Sequence, residues 1–196
     1  PQNPKTPKPQ NPSVWILNMS ESSFTPQDAL AMDYPAPRFM CSRKANVFGV
    51  KFLDFRLRDA DSGEILVEVS QEEREMLDAM QEEEAKSRGV EDSQDDEDRV
   101  VEYNFGPMFL EMKAIGMQVG IEIGEKPVKA IWMIEKHYFK NQCIHTYDFK
   151  TGFCMPLTKN SWECIYDLPE LDEETKQEMI ESPGEAKSDS FFFVGD

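Results

Sequence analysis

The chain has 196 residues, and its 21 Lys and Arg against 38 Asp and Glu leave a net charge of −17. A charge of that sign, with no run of Lys or Arg in the sequence to offset it, is repelled by phosphate backbones and argues against nucleic acid as a partner. No stretch reaches the roughly 18 apolar residues of a spanning helix, and the Pro/Gln/Asn-rich start lacks the apolar core of a signal peptide.

The length suits one domain, and 39% hydrophobic residues with 13 Phe supply a sizeable core. The first residue is Pro1 rather than Met, which leaves the true start open. Cys41, Cys143, Cys154 and Cys164 are too few and too loosely spaced for a disulfide framework, so a reducing, intracellular compartment is expected.

Residues 1–12, PQNPKTPKPQNP, hold five prolines and predict an extended, solvated segment that adds nothing to a core. Residues 1–38 as a whole read as a Pro-rich, largely disordered extension, and 39–196 as the folded domain. Within the extension Thr25 caps a short helix with Pro26 in its first turn, ending before Pro35. Asn46 to Arg58 carries apolar residues at 48, 50 and 52 and then at 53, 55 and 57, a phase slip that predicts a strand with a bulge or with both faces buried. The turn cluster Asp59 to Gly63 and the strand Ile65 to Val69 complete a hairpin.

Residues 71–99 contain 13 acids and four bases, a net of −9, and read as a solvated insertion within a hairpin connection. Strand signals return at Val101, Tyr103 and Phe105, then at Met117 to Ile123, and then in a pair, Ala130 to Lys140 and Gln142 to Lys150, around Asn141. Asp172 caps a helix bearing Met179 and Ile180 that Pro183-Gly184 ends, and Ser190 to Val194 form a last strand. The spacing predicts an all-β sandwich with no internal repeat.

Ile131 to Phe139 is the most informative stretch. On a strand Ile131, Met133, Glu135, His137 and Phe139 share one face, and Trp132, Ile134, Lys136 and Tyr138 the other. A carboxylate and an imidazole thus lie together on an apolar face, either as a hydrogen-bonded pair at a sheet margin or as the polar rim of an apolar pocket. Cys143 and His145 also share a face, with Cys154, Cys164 and His137 as further ligand candidates. Yet no Cys-x-x-Cys or His-x₃-His pair supports a metal, no nucleophile signature supports catalysis, and no Gly-rich loop supports a phosphate ligand. The cysteines read as small apolar fillers, and the aromatic positions, on first principles, as ordinary core.

Several longer motifs occur in order: Phe55 to Gly63, Lys126-Pro127-Val128, Met133 to Phe139, Gly152 to Pro156, Ile165-Tyr166-Asp167 and Ser188 to Val194. Together they resemble the uncoordinated-119 branch of the phosphodiesterase delta-subunit-like lipid carriers, from about Thr25 to Val194. The resemblance implies an immunoglobulin-like β-sandwich with an internal hydrophobic cavity for the acyl chain of an N-terminally myristoylated protein. It implies a non-enzymatic, monomeric carrier in the cytoplasm, with a cilium or flagellum as destination, no cofactor, no stable membrane insertion, and release by a GTP-bound ADP-ribosylation-factor-like GTPase. Carried over by motif, Phe55, Tyr103, Phe109 and Phe153 line the cavity, and Glu135, His137 and Tyr166 hold the cargo's first peptide units.

Phe192 stands where the family usually has Tyr, which removes a hydroxyl near the peptide end, and Thr151 replaces an aromatic, which alters the cavity's width or length. The family carries a terminal strand beyond the position of Asp196, which leaves the completion of the sheet open. Two other readings compete: an acidic sandwich chaperone that binds basic proteins through 71–99, and a prenyl carrier of the same fold.

Overall fold

The computed structural model describes residues 12–18, 24–42, 45–76, 79, 100–103 and 105–195. The Pro-rich residues 1–11 and most of the acidic insertion lie outside them. Among the described residues nine strands form an all-β sandwich of two sheets. The first sheet has the order β4 (Val100–Glu102), β1 (Pro12–Asn18), β9 (Ala186–Gly195), β6 (Ala130–Phe139), β7 (Gln142–Lys150). The second has the order β3 (Ile65–Val69), β2 (Lys51–Asp59), β5 (Ala114–Glu122), β8 (Lys159–Asp167).

Local chemistry explains most of these elements. The expected slip in β2 is real: its register shifts against β5 between Phe52 and Asp54 and against β3 between Leu57 and Arg58. Lys140 and Asn141 both have positive φ, the conformation that a two-residue hairpin needs to match strand twist, and they join β6 to β7. Helix α1 (Pro26–Ala31) opens on a capping box in which Thr25 accepts from the Asp28 N–H and Asp28 accepts from the Thr25 N–H. Helix α2 (Glu173–Glu181) is capped by Asp172, whose carboxylate accepts from Thr175 N at 2.7 Å. Gly124 is obligatory, because a Cβ there would meet the Phe48 carbonyl oxygen at 2.4 Å.

Three expectations change. β3 and β4 lie in different sheets, so 71–99 connects the two layers rather than the arms of a hairpin. It leaves β3 through a helical stretch at 71–76 that Ser70 and Glu73 cap reciprocally. The strand around Val101 to Phe105 is only three residues long, since Pro107 opens a 3-10 helix (Pro107–Glu111) that carries Phe109. Finally, Pro12–Asn18, read as part of the extension, form β1, which pairs in parallel with β9 and antiparallel with β4. β9 is therefore interior, flanked by β6 and β1.

The outer face of β6 and β9 is covered by residues 24–41. Ala29 packs on Ile134 and Phe191, with Phe24, Met32 and Phe39 around them. Two charged groups are sealed beneath this cover: Lys136, 1% exposed, donates to Leu30 O at 3.1 Å, and Asp189, 3% exposed, accepts from Ala36 N at 2.7 Å. Burial pushes the Asp189 carboxyl up to about 6, against the pull of the Ala36 N–H, Tyr138 and Lys136.

The folded protein holds this proton between about pH 4 and 6 while the unfolded chain has released it, so stability falls as pH rises through that window. The difference is at most about 3 kcal/mol at 1.36 kcal/mol per unit. Urea unfolding at pH 4.5 and 6.5, referenced to Asp189→Asn, is expected to show the wild type gaining stability on acidification relative to the variant.

Candidate functional site

The inner faces of the two sheets do not pack together along their full length. At the end formed by Ala130, Val128 and Val194 they interlock. Val50, Met117, Val119, Ile121, Ile131, Met133 and Phe192 make a solid core there, with Phe52 edge-on to Phe192 at 4.8 Å between centroids. Toward the other end they part around a cavity of about 540 Å³. Its volume falls within the range of roughly 300–1,000 Å³ that small-ligand sites occupy.

Strands, a connecting segment and a helix build the wall. β2 contributes Phe55 and Leu57, and β5 contributes Ile115 and Met117. The chain between β4 and β5 adds a row of aromatic rings: Phe55 stacks with Tyr103 at 6.2 Å, Tyr103 with Phe105 at 5.6 Å and Phe105 with Phe109 at 4.5 Å. β8 and α2 close the rim with Tyr166, Leu168, Met179 and Ile180.

The polar groups come from β6 and β9. Glu135 is 8% exposed, and its Oε2 accepts from the Ser190 hydroxyl across the strand pair. His137, two residues on and on the same face, places Nε2 3.5 Å from Glu135 Oε1. Its ring stands edge-on to Tyr147 at 5.2 Å, and Tyr147 in turn meets Tyr166 at 4.4 Å. Tyr147 lies on β7 and Tyr166 on β8, so these rings bridge the two sheets along the seam where no strand pairing joins them. The Tyr147 hydroxyl fixes the bridge by donating to Asp167 O at 3.0 Å.

Electrostatics keep these rings neutral. Burial first, and the Glu135 charge second, push the Tyr103 phenol up to about 12 and hold the Tyr166 and Tyr147 phenols well above their ordinary value. Burial also lowers the pKa of His145, and His137 adds to the shift. The cavity therefore presents the Glu135 carboxylate as acceptor and neutral phenols as donors in a largely apolar wall, with Lys187 also in the lining.

The structure brings Phe55, Tyr103, Phe109, Glu135, His137 and Tyr166 together in this wall. Two residues of the motif-based set lie elsewhere. Phe192 is fully buried in the solid core that forms the cavity floor, so a Tyr hydroxyl at that position would not reach the rim. Phe153 is 63% exposed, at the far end of the sandwich beside a smaller cavity of about 320 Å³ that Thr151 also lines. Thr151 thus bears on that smaller cavity rather than on the size of the large one.

Sequence reading missed Ser190 and Phe105 as wall residues and gave Met179 and Ile180 no role in the site. A signal for Ser190 existed, since Ser188 and Ser190 are small polar residues sharing the β9 face of Phe192. Among the described residues no three His, Cys, Asp or Glu side chains converge as metal ligands, and all four cysteines are free thiols. No described helix is long and apolar enough to cross a membrane.

Residues 44–196 match the family model "GMP-PDE, delta subunit". The chain belongs to this family, in its unc-119 branch. It is 36% identical over 176 residues to Protein unc-119 of Caenorhabditis elegans, an alignment that spans 90% of this chain and 75% of the relative. It is 38% identical to Protein unc-119 homolog B-B of Xenopus laevis, over 91% of this chain and 70% of that protein. The Drosophila melanogaster unc-119 homolog is also 38% identical, over 89% of this chain and 68% of its own length. Membership places the chain among carrier-type, lipid-binding proteins rather than known enzymes.

Proposed function

We propose that this chain is a solubilising carrier for N-terminally myristoylated proteins, with the acyl chain in the 540 Å³ cavity and the first peptide units against Glu135, His137 and Tyr166. The observation that carries the reading is the placement of a buried carboxylate in a largely apolar wall. Among the described residues the partners of Glu135 are the Ser190 hydroxyl and, at 3.5 Å, the His137 Nε2. A carboxylate offers about four acceptor sites. An acylated N-terminus supplies what is missing: an amide N–H for Glu135 and a carbonyl for the His137 or Tyr166 donors, directly behind a long apolar tail.

The energetics favour such a carrier. A myristoyl chain buries about a dozen methylenes at roughly 0.8 kcal/mol each, yet one chain holds a protein on a bilayer with K of only about 10⁴ M⁻¹. A preformed, largely apolar cavity competes with that. Release requires a second state with a weaker cavity, and to lower cargo affinity about 100-fold a GTP-bound ADP-ribosylation-factor-like GTPase must prefer that state by about 2.7 kcal/mol. Family resemblance supports this releasing partner, a cytoplasmic location and delivery toward a cilium or flagellum.

A titration with fluorescent myristoylated peptide, the same peptide without the acyl group, and a farnesylated peptide tests the reading. Tight binding of the first alone is the expected outcome. Equal binding of the first two removes the carrier function, and preference for the third replaces the acyl chain with a prenyl group.

A further inference from the structure

The segment that joins β8 to β9 passes along the cavity rim and carries α2. Pro169, Leu171, Met179, Ile180 and Pro183 from this segment all line the cavity, yet no residue from 169 to 184 is buried. Ile180 is 44% exposed. A nine-residue helix is too short to hold its shape in water by itself, and α2 has no buried residue to hold it by packing.

The segment is pinned firmly only at its ends. Leu168 N donates to Lys113 O at 2.7 Å, and Lys140 N donates to Glu185 O at 3.1 Å. Between these anchors, among the described residues, two side-chain clips tie it to other elements. Lys176 Nζ lies 3.1 Å from Glu111, at the end of the 3-10 helix, and 3.0 Å from Glu173 in its own first turn. Lys140 Nζ, on the turn between β6 and β7, lies 2.6 Å from Glu178.

The clips reach two different walls. Glu111 stands between Leu110 and Met112, which line the cavity, and Lys140 belongs to the hairpin whose Ile144 lines it too. Gly184 has φ of 92°, a region open to glycine, and supplies a pivot at the C-terminal end. Apolar side chains thus face the cavity from an element that exposed ion pairs hold in place, and such pairs are weak and sensitive to salt.

We propose that residues 169–184 form a strap across the cavity mouth, held shut by the Lys176–Glu111 and Lys140–Glu178 ion pairs in empty and loaded protein alike, and that its opening sets the rate at which an acyl chain enters and leaves. The gating role rests on the acyl-carrier reading of the cavity. Because neither pair touches Glu135, His137 or Tyr166, loosening them should raise the open fraction equally with and without cargo. Association and dissociation then accelerate by the same factor, and affinity stays where it was.

Stopped-flow mixing of the full chain with an uncharged, fluorescent myristoylated peptide tests this. In Lys176→Met/Glu178→Gln both rate constants are expected to rise about fivefold, with Kd unchanged within about twofold. Salt should accelerate both steps in the wild type and leave the variant nearly unaffected. Glu178→Lys, which sets a cation against Lys140, should accelerate both rates, and Lys140→Glu/Glu178→Lys should restore them. Unchanged rates in a folded Lys176→Met/Glu178→Gln variant, faster dissociation alone, or no recovery in the charge-exchanged pair overturns the strap while leaving the carrier reading intact. Absence of peptide binding by the wild type overturns both.

Discussion

Glu135→Gln is expected to weaken binding of a myristoylated peptide about 10- to 150-fold while leaving the affinity for free myristate almost unchanged. The substitution preserves shape and keeps an acceptor for the Ser190 hydroxyl, but it removes the charge from a group that is 8% exposed. A hydrogen bond to a charged group contributes about 1.5–3 kcal/mol, which sets the range. Free fatty acid lacks the amide N–H that Glu135 accepts from, so it should not register the change.

Stability moves the other way. Holding a carboxylate in an apolar wall costs free energy in the empty protein, so the melting temperature of Glu135→Gln is expected to hold or rise. His137→Ala provides a second arm, since loss of a donor should also weaken the acylated peptide more than myristate. Equal losses for both ligands, measured by isothermal titration, would show that the pair supports only the fold.

That Glu135 and His137 occupy the cavity wall was legible because side-chain parity along a strand is set by the backbone alone. Ile131, Met133, Glu135 and His137 face the sandwich interior, while Ile134 and Lys136 face α1, as alternation requires. The caps at Thr25 and Asp172 and the bulge in β2 were legible for the same reason, since each depends on neighbours within a few residues.

Parity does not reveal where along a strand the sheets stop touching. Ser190 and Phe192 share a face of β9, yet one borders the cavity and the other fills its floor, because the separation of the layers depends on the summed bulk of side chains from several strands. The parallel pairing of β1 with β9 was hidden for a related reason. Its partners are separated by most of the chain, and no turn chemistry links them. The crossing of 71–99 between layers defeated the expectation that successive strands are neighbours, which holds for only about two-thirds of pairs.

The division of the interior into solid floor and open cavity leads to the second large effect. Leu57 lies on the boundary, lining the cavity while packing against the floor cluster. Leu57→Trp is expected to extend the floor into the cavity and displace about three methylenes of a bound chain, which at roughly 0.8 kcal/mol each lowers affinity for a myristoylated peptide about 60-fold. The indole should fill existing space, so stability is expected to hold or to rise by about 0.5–2 kcal/mol.

A series of acyl lengths separates this from general damage. If the tail runs inward toward Met117 and Leu57, a peptide with a ten-carbon chain stops short of the new ring and should bind the variant and the wild type alike, whereas fourteen carbons should discriminate sharply. A uniform loss at every length would mean that the chain does not run toward the floor. Retention of full affinity at every length would mean that it does not enter the space between the sheets at all.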